Sequence, residues 1–499
     1  MADPRSTLLQ AGALGVVSAV AGPLLLAVNI WIGSATVDFT KVPSWRRLWN
    51  DLALATASWV EATQGPASEY VTGPRADDVA RGLILERIVN QGLTPTRPLE
   101  RVRNIAPFLS ERIKPERPPY DDRGRAALLG LAFRARGGIA PFLILWLGFL
   151  VAAPALSWTA MELRAAGRNR VAALAMLLLG LSPFLAGGLA LGRYPVGFYL
   201  AAVLLIPPLA VYARLNPAPT VAGLLARVAV AGALLAVCVF CRSSAGVLLP
   251  GFVLAVWLGA CRLKRAWGPR LGLTAVAAVV LALPSALAPG AQQNDMWQPV
   301  WEGLGDFDRS HGFTWADKAA LEAVQRAGAP SLWTAESETV LRAQVIEAIK
   351  TDPIWYAGIL ARRLLSTVSL WKLWPWEPLD SDFIRRAGSP NEGVIDKYWT
   401  YTTTADHLGL GDYSVELPIT LLVAPTVLLI AMAMRGKFAN AARESLLMLA
   451  CPALATIVLP VLVTTAGGQE GQAFALVHLF AAALLVDVVA TRASYEPGA

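Results

Sequence analysis

Charge is what this chain has least of. Only 16% of its residues are Asp, Glu, Lys or Arg, where a soluble domain carries about 25%. A chain so poor in charge has no ordinary water-facing surface over most of its length. Chemistry-bearing residues are scarce as well. There are three histidines, His311, His407 and His478, far apart and forming no metal motif. The four cysteines, Cys238, Cys241, Cys261 and Cys451, all lie in or beside apolar runs. Cys238 and Cys241 have C-x-x-C spacing, but no second pair and no histidine stands nearby to complete a zinc set. They read as small apolar-like residues in helices. No Gly-rich phosphate loop is present, so nothing points to a nucleotide site. Fixed-period repeats and low-complexity segments are missing too. The formal charge of +7 does not indicate nucleic acid, because the basic residues cluster beside apolar segments, as in loops that face the cytoplasm.

What the chain does have is apolar length. Hydrophobic residues make up 55% of it, and the mean hydropathy is +0.49. Runs near 20 residues recur, the length at which an α-helix crosses about 30 Å of hydrocarbon. The spacing predicts an all-α polytopic membrane protein of about ten transmembrane helices: 11–33, 139–161, 171–190, 195–213, 221–240, 244–261, 271–289, 415–434, 445–466 and 472–490. The first is longer than the 7–15-residue core of a signal peptide, so it reads as a retained span. One set of short loops holds Arg164, Arg168 and Arg170, then Arg214, then Arg262, Lys264, Arg265 and Arg270, then Arg435, Lys437 and Arg443. The short loops of the other set hold only Arg193 and Arg242. This bias places the first set, and both termini, in the cytoplasm of a cell whose cytoplasmic (inner) membrane the chain spans. Arg227, near the cytoplasmic end of its span, is expected to snorkel.

Five parts follow from this layout: a first span at 1–33, an outer loop at 34–138, a six-helix bundle at 139–289, a second outer segment at 290–414 and a three-helix part at 415–499. Both outer segments are too rich in Trp, Leu and Ile to be disordered linkers, and they are expected to pack on each other. The first carries helical patterns at Trp45–Thr63 and Asp77–Asn90, the second at Ala316–Ala327 and Glu336–Lys350. The apolar run Ala357–Leu373 contains Arg362, Arg363 and Lys372. A charge at mid-bilayer costs about 2.5–3.5 kcal/mol, so this run reads as an interfacial helix on the outer surface. Trp355, Trp371, Trp374 and Trp376 suit the headgroup level.

Several residues of the outer segments could carry chemistry. Asp77 and Asp78 open a helical pattern after Gly73-Pro74. Acids at a helix start satisfy backbone N–H groups and the helix dipole; one of two neighbours, pointing about 100° from the other, could instead face a cavity as a general base or metal ligand. Asp121 and Asp122 are rivals for that role. Arg117, Arg123 and Arg125 could hold a phosphate or belong to an ordinary polar interfacial loop. Arg193 and Arg242 stand against the charge bias. Binding a lipid phosphate and pairing with an acid of the long loops both account for them. Trp297 and Trp301, interleaved with acids and amides, suit stacking on a sugar, and equally a place at the membrane interface.

Taken together, these residues resemble the GT-C superfamily of integral membrane glycosyltransferases, in particular its bacterial members that transfer aminoarabinose or mannose from polyprenyl phosphate. Asp77-Asp78-Val79-Ala80-Arg81-Gly82-Leu83-Ile84-Leu85 stands where that family has an acidic pair, often Asp-Glu, on a short helix after the first span. Arg117-Pro118-Pro119-Tyr120 stands where a His-Pro-Pro-Leu-Tyr type of sequence precedes the second span, with arginine in place of the histidine. Ala126–Arg134 and Gly137-Gly138 are similar to the apolar helix and glycine that follow it. The likeness covers the layout of the N-terminal half and extends only loosely to the C-terminal third. It implies a polyprenyl-phosphate-linked sugar as donor and a lipid or an envelope glycan or protein as acceptor, with transfer on the outer face among the membrane lipids. Asp77 or Asp78, the former by the family's order, would be the catalytic base or would help hold a divalent cation. Arg117, Tyr120, Arg193 and Arg242 would bind the donor together with Trp297 and Trp301. A transporter or flippase for a lipid-linked or hydrophobic substrate is the alternative; it would require broken helices and charges within the membrane.

Overall fold

The computed structural model describes residues 19–31, 141–182, 185–186, 189, 196–263, 296–305, 311–314, 317–329, 332, 334–369, 407–410, 413–416, 419–434, 438–462 and 469–493. The chain is mostly helical. A bundle is built from α1 (Ala19–Trp31), α2 (Pro141–Ala165), α3 (Asn169–Gly180), α4 (Val196–Leu204), α5 (Ile206–Leu215), α6 (Val221–Cys241) and α7 (Leu249–Arg262). Four short helices come next: α8 (Trp297–Gly303), α9 (Asp317–Arg326), α10 (Ala335–Thr351) and α11 (Pro353–Ser369). A hairpin of β1 (His407–Leu410) and β2 (Tyr413–Glu416) then leads to α12 (Ile419–Met434), α13 (Ala439–Leu462) and α14 (Gln469–Ala493). The antiparallel hairpin, with Leu408 opposite Val415, departs from the all-α expectation.

Among the described residues, four helical stretches are long and apolar enough to cross a membrane: Gly197–Leu215, Val221–Cys241, Ala245–Arg262 and Ala473–Ala490. Shorter apolar helices run over Ala19–Trp31, Asn169–Gly180 and Val423–Met434. The seventh expected span, 271–289, lies outside the described residues. Gly197–Leu215 is not one uninterrupted α-helix. A turn at Leu205 separates α4 from α5, and Pro207 and Pro208 stand in the first turn of α5. Proline is tolerated there because the first turn's N–H groups have no partner within the helix. The span expected at 244–261 likewise starts as a 3₁₀ turn, Ser243–Leu248, before α7.

The sides of the bundle are apolar and open. Trp31, Trp257 and Met434 are more than half exposed, as are Val20, Leu24, Val253 and Val489. Large hydrophobic side chains in such numbers on the outside of a soluble protein would drive aggregation; in hydrocarbon they face their own kind. Helices in that solvent gain nothing from hiding oily surface, so they associate by close contact between small residues. Gly180 meets the backbone of Gly22, joining α3 to α1. On α7, Gly251 sits against the carbonyl of Cys451 and against Ala455 of α13, leaving no room for a side chain. Helix α13 also touches α5, α11, α12 and α14, which makes it a hub.

Charge collects at one end. Arg168 reaches Asp487 at 2.6 Å, tying the α2–α3 turn to α14. Arg214, at the end of α5, grips Glu444 of α13 with two nitrogens at 2.9 and 2.5 Å. One nitrogen of Arg262 donates to the carbonyls of Ala213, Arg214 and Asn216, and Arg443 donates to that of Ala433. These last two arginines satisfy carbonyls left open where helices end. Among the described residues, Arg168, Arg214, Arg262 and Arg443 thus share one end of the molecule.

Arg227 does not snorkel. Its Nε donates to Glu162 Oε1 at 2.5 Å, and its guanidinium lies 3.9 Å from the centre of the Tyr212 ring. Glu162 is 4% exposed and also accepts from Trp158 Nε1 at 2.8 Å. An acid this deep is stable only with donors around it. Replacing Glu162 with Ala should strand Arg227 and lower stability by about 1–3 kcal/mol, while Glu162→Gln, which keeps an acceptor, should lose less. Thermal unfolding in detergent would measure both; an unchanged midpoint for Glu162→Ala would contradict the pairing.

Candidate aromatic cap

Helices α8 to α11 enclose a second, smaller core. Its buried members include Val300, Trp301, Leu304, Phe313, Val324, Leu341, Val345 and Ile359. The sequence forms these helices for local reasons. Thr334 accepts from the N–H of Ser337 while Ser337 Oγ accepts from that of Thr334, a reciprocal cap that starts α10. Asp352 stops α10 and opens α11, where Pro353 takes the first position and Asp352 Oδ1 accepts from the Trp355 N–H at 2.9 Å. The helices predicted at Ala316–Ala327 and Glu336–Lys350 are α9 and α10, within a residue at each end.

Glu338 links α10 to α8. Both its oxygens lie 3.1 Å from the backbone nitrogen of Trp297, so a carboxylate meets the positive end of α8. Burial pushes the Glu338 carboxyl above its ordinary value, against the opposite pull of the N–H groups of Trp297, Gln298 and Met296. The guanidinium of Arg342 stands 5.9 Å from the Trp297 ring centre, at the edge of useful cation–π range. Gln298 donates to Glu302 Oε1 at 2.9 Å inside the cap.

His311 stacks on Trp355, with ring centres 4.0 Å apart, and its Nε2 lies 3.6 Å from Asp352 Oδ2. Phe313 packs on the same indole at 6.0 Å and meets Trp301 edge-on at 5.3 Å. These contacts pin the 311–314 segment to the joint between α10 and α11. His311 and Asp352, side by side and part-exposed, form a polar edge on an aromatic wall. Each was visible in the sequence, but their meeting was not, since 41 positions separate them.

The predicted site residues fare unevenly. Asp77, Asp78, Arg117, Tyr120 and Arg193 lie outside the described residues, as do Asp121 and Asp122. Trp301 is 4% exposed and donates from its indole to Gln344 Oε1 at 2.7 Å. A sugar-stacking ring needs a free face; Trp301 has spent its faces on the core, so its role is corrected to packing. Trp297 is only part-buried and keeps open surface. Arg242 is half-buried where α6 passes into the 3₁₀ turn, its N–H bonded to the Cys238 carbonyl at 2.7 Å. That is the far end of α6 from Arg227. Cys238 and Cys241 are buried and unbridged. Among the described residues, no group of three or more His, Cys, Asp or Glu could hold a metal ion.

Comparison with family models, curated proteins and solved structures finds no match to this chain.

Two substitutions separate packing from surface roles in the cap. Trp301→Ala should lower the stability of α8–α11 by about 3–5 kcal/mol, read as faster amide exchange across these helices. Trp297→Ala should cost much less. Equal protection in Trp301→Ala and the unaltered chain would contradict the core assignment.

Proposed function

We propose that this chain is a membrane glycosyltransferase of the GT-C kind, which moves a sugar from a polyprenyl-phosphate donor to an acceptor on the outer face of the membrane. The observation that carries the reading is a structured aromatic cap, α8–α11, standing in a long segment between spans and rooted through α11 on α13 and α14. A chain that only threads the bilayer has no use for a second core beside it. The order of motifs in the sequence supports the same reading, with Asp77-Asp78 and Arg117-Pro118-Pro119-Tyr120 in the other long segment.

The chemistry is a single inverting displacement. The acceptor hydroxyl or amine gives its proton to Asp77 or Asp78 as it bonds to the anomeric carbon. The bond from that carbon to the phosphate oxygen breaks, and polyprenyl phosphate leaves with the electron pair. Arg117, Arg193 and Arg242 stabilise the charge that grows on the departing phosphate, and the exposed part of Trp297 offers apolar surface to the sugar. A divalent cation held by the acidic pair would serve the same phosphate.

One observation favours transport as a second reading. His478, 3% exposed, lies well inside α14, and its Nδ1 is hydrogen-bonded to the Thr426 hydroxyl of α12 across 2.6 Å. Ionisable residues deep in a span often mark a path for ions or substrate.

The test is transfer of radiolabelled sugar from a polyprenyl-phosphate donor in membranes, comparing the unaltered chain with Asp77→Asn and Asp78→Asn. Loss of a general base should slow transfer by roughly 100-fold or more in one of them. Full transfer in both variants sinks the site assignment. Labelled donor that crosses the bilayer with no product formed favours transport.

A further inference from the structure

Helix α11 has two unlike faces. On one, Ile359 is 1% exposed, within the cap's core, and Arg363 is 0% exposed, while the helix as a whole rests on α13 and α14. On the other, Ile354 is 84% and Leu364 43% exposed, with exposed Ala357 and Ala361 between them. These four positions recur at the three- and four-residue spacing that forms one stripe on a helix. Gly358 beside them opens onto empty space. The sequence kept this helix out of the hydrocarbon because it carries arginines. Arg363 removes that objection for its own position: the guanidinium is enclosed by protein, on the side away from the stripe, so no lipid has to meet it.

We propose that the Ile354–Leu364 stripe of α11 is immersed in the acyl chains of the bilayer that the bundle spans. The occupant follows from continuity. Helix α11 lies against α14 and against α13, whose Leu454 and Leu462, on the stretch leading away from the Arg214–Glu444 pair, are exposed on the apolar side of the bundle. An apolar stripe resting on helices that present such a surface extends that surface. Phospholipid tails, already the solvent of α13 and α14, wet α11 as well. The helix then joins the cap to the membrane directly, placing the His311–Asp352–Trp355 edge close to the bilayer. The inference holds whether or not the protein transfers sugar.

Site-directed spin labelling tests it on the full chain in nanodiscs of phosphatidylcholine and phosphatidylglycerol. A Cys261→Ser background leaves only cysteines that are fully buried. Nitroxides go at Ile354→Cys, at Leu364→Cys and, as a water-facing control, at Glu347→Cys on the exposed side of α10. These positions are exposed, so labelling should leave the fold intact, which circular dichroism would verify. The expected result is collision with dissolved oxygen exceeding collision with a water-soluble nickel chelate several-fold at 354 and 364, with the reverse at 347. Nickel access at 354 and 364 equal to that at 347 overturns the proposal. So does protection from both reagents in particles that hold two copies of the chain, since a second copy would then cover the stripe.

Discussion

Everything in this fold follows from having lipid where other proteins have water. An apolar solvent removes the usual reason to hide oily side chains, so the bundle shows them on its flanks: Trp31, Trp257 and Met434 all point outward. The same solvent punishes an unsatisfied polar group severely. Arg168, Arg214, Arg262 and Arg443 therefore gather at one end and spend their donors on acids and on the open carbonyls of helix ends. Arg262 alone closes three carbonyls around the end of α5. Where an acid does lie deeper, as Glu162 does, a guanidinium and an indole both reach it.

Close helix contact is the second consequence. With little hydrophobic drive between helices, shape decides which ones meet. Gly251 lets α7 lie against α13, and Gly22 lets α1 lie against α3. Hub helix α13 gathers α5, α7, α12 and α14 inside the layer and α11 from the cap. The cap therefore rests on the most connected part of the bundle.

Much of this was legible in the residues. The expected spans at 221–240 and 472–490 match α6 and α14 closely, because apolar runs of that length have few other uses. The clustering of Arg168, Arg214, Arg262 and Arg443 at one end was legible too, since it depends on charge counts alone. Breaks within spans were less so. Pro207-Pro208 stood in plain view, but hydropathy averages over them, and α3 ends at Gly180, ten residues before the expected boundary. Pairings were not legible at all. Glu162 and Arg227 are 65 positions apart, Trp301 and Gln344 are 43 apart, and no periodicity records such meetings. Trp301 looked like a sugar platform because composition cannot tell a core indole from a surface one. Arg363 argued against a place in the hydrocarbon because sequence cannot show that the guanidinium is fully enclosed by protein.

The account rests on one arrangement: the aromatic cap on one side of the membrane and the arginine-rich end on the other. Single cysteines at Glu347 on α10 and Arg170 at the start of α3, each in a Cys261→Ser background, measure it directly. Sealed vesicles of known orientation are treated with a membrane-impermeant maleimide before and after permeabilisation. The account predicts that position 347 is labelled from the outside of intact right-side-out vesicles, and position 170 only once the membrane is opened. Labelling of both positions from the same side would contradict it.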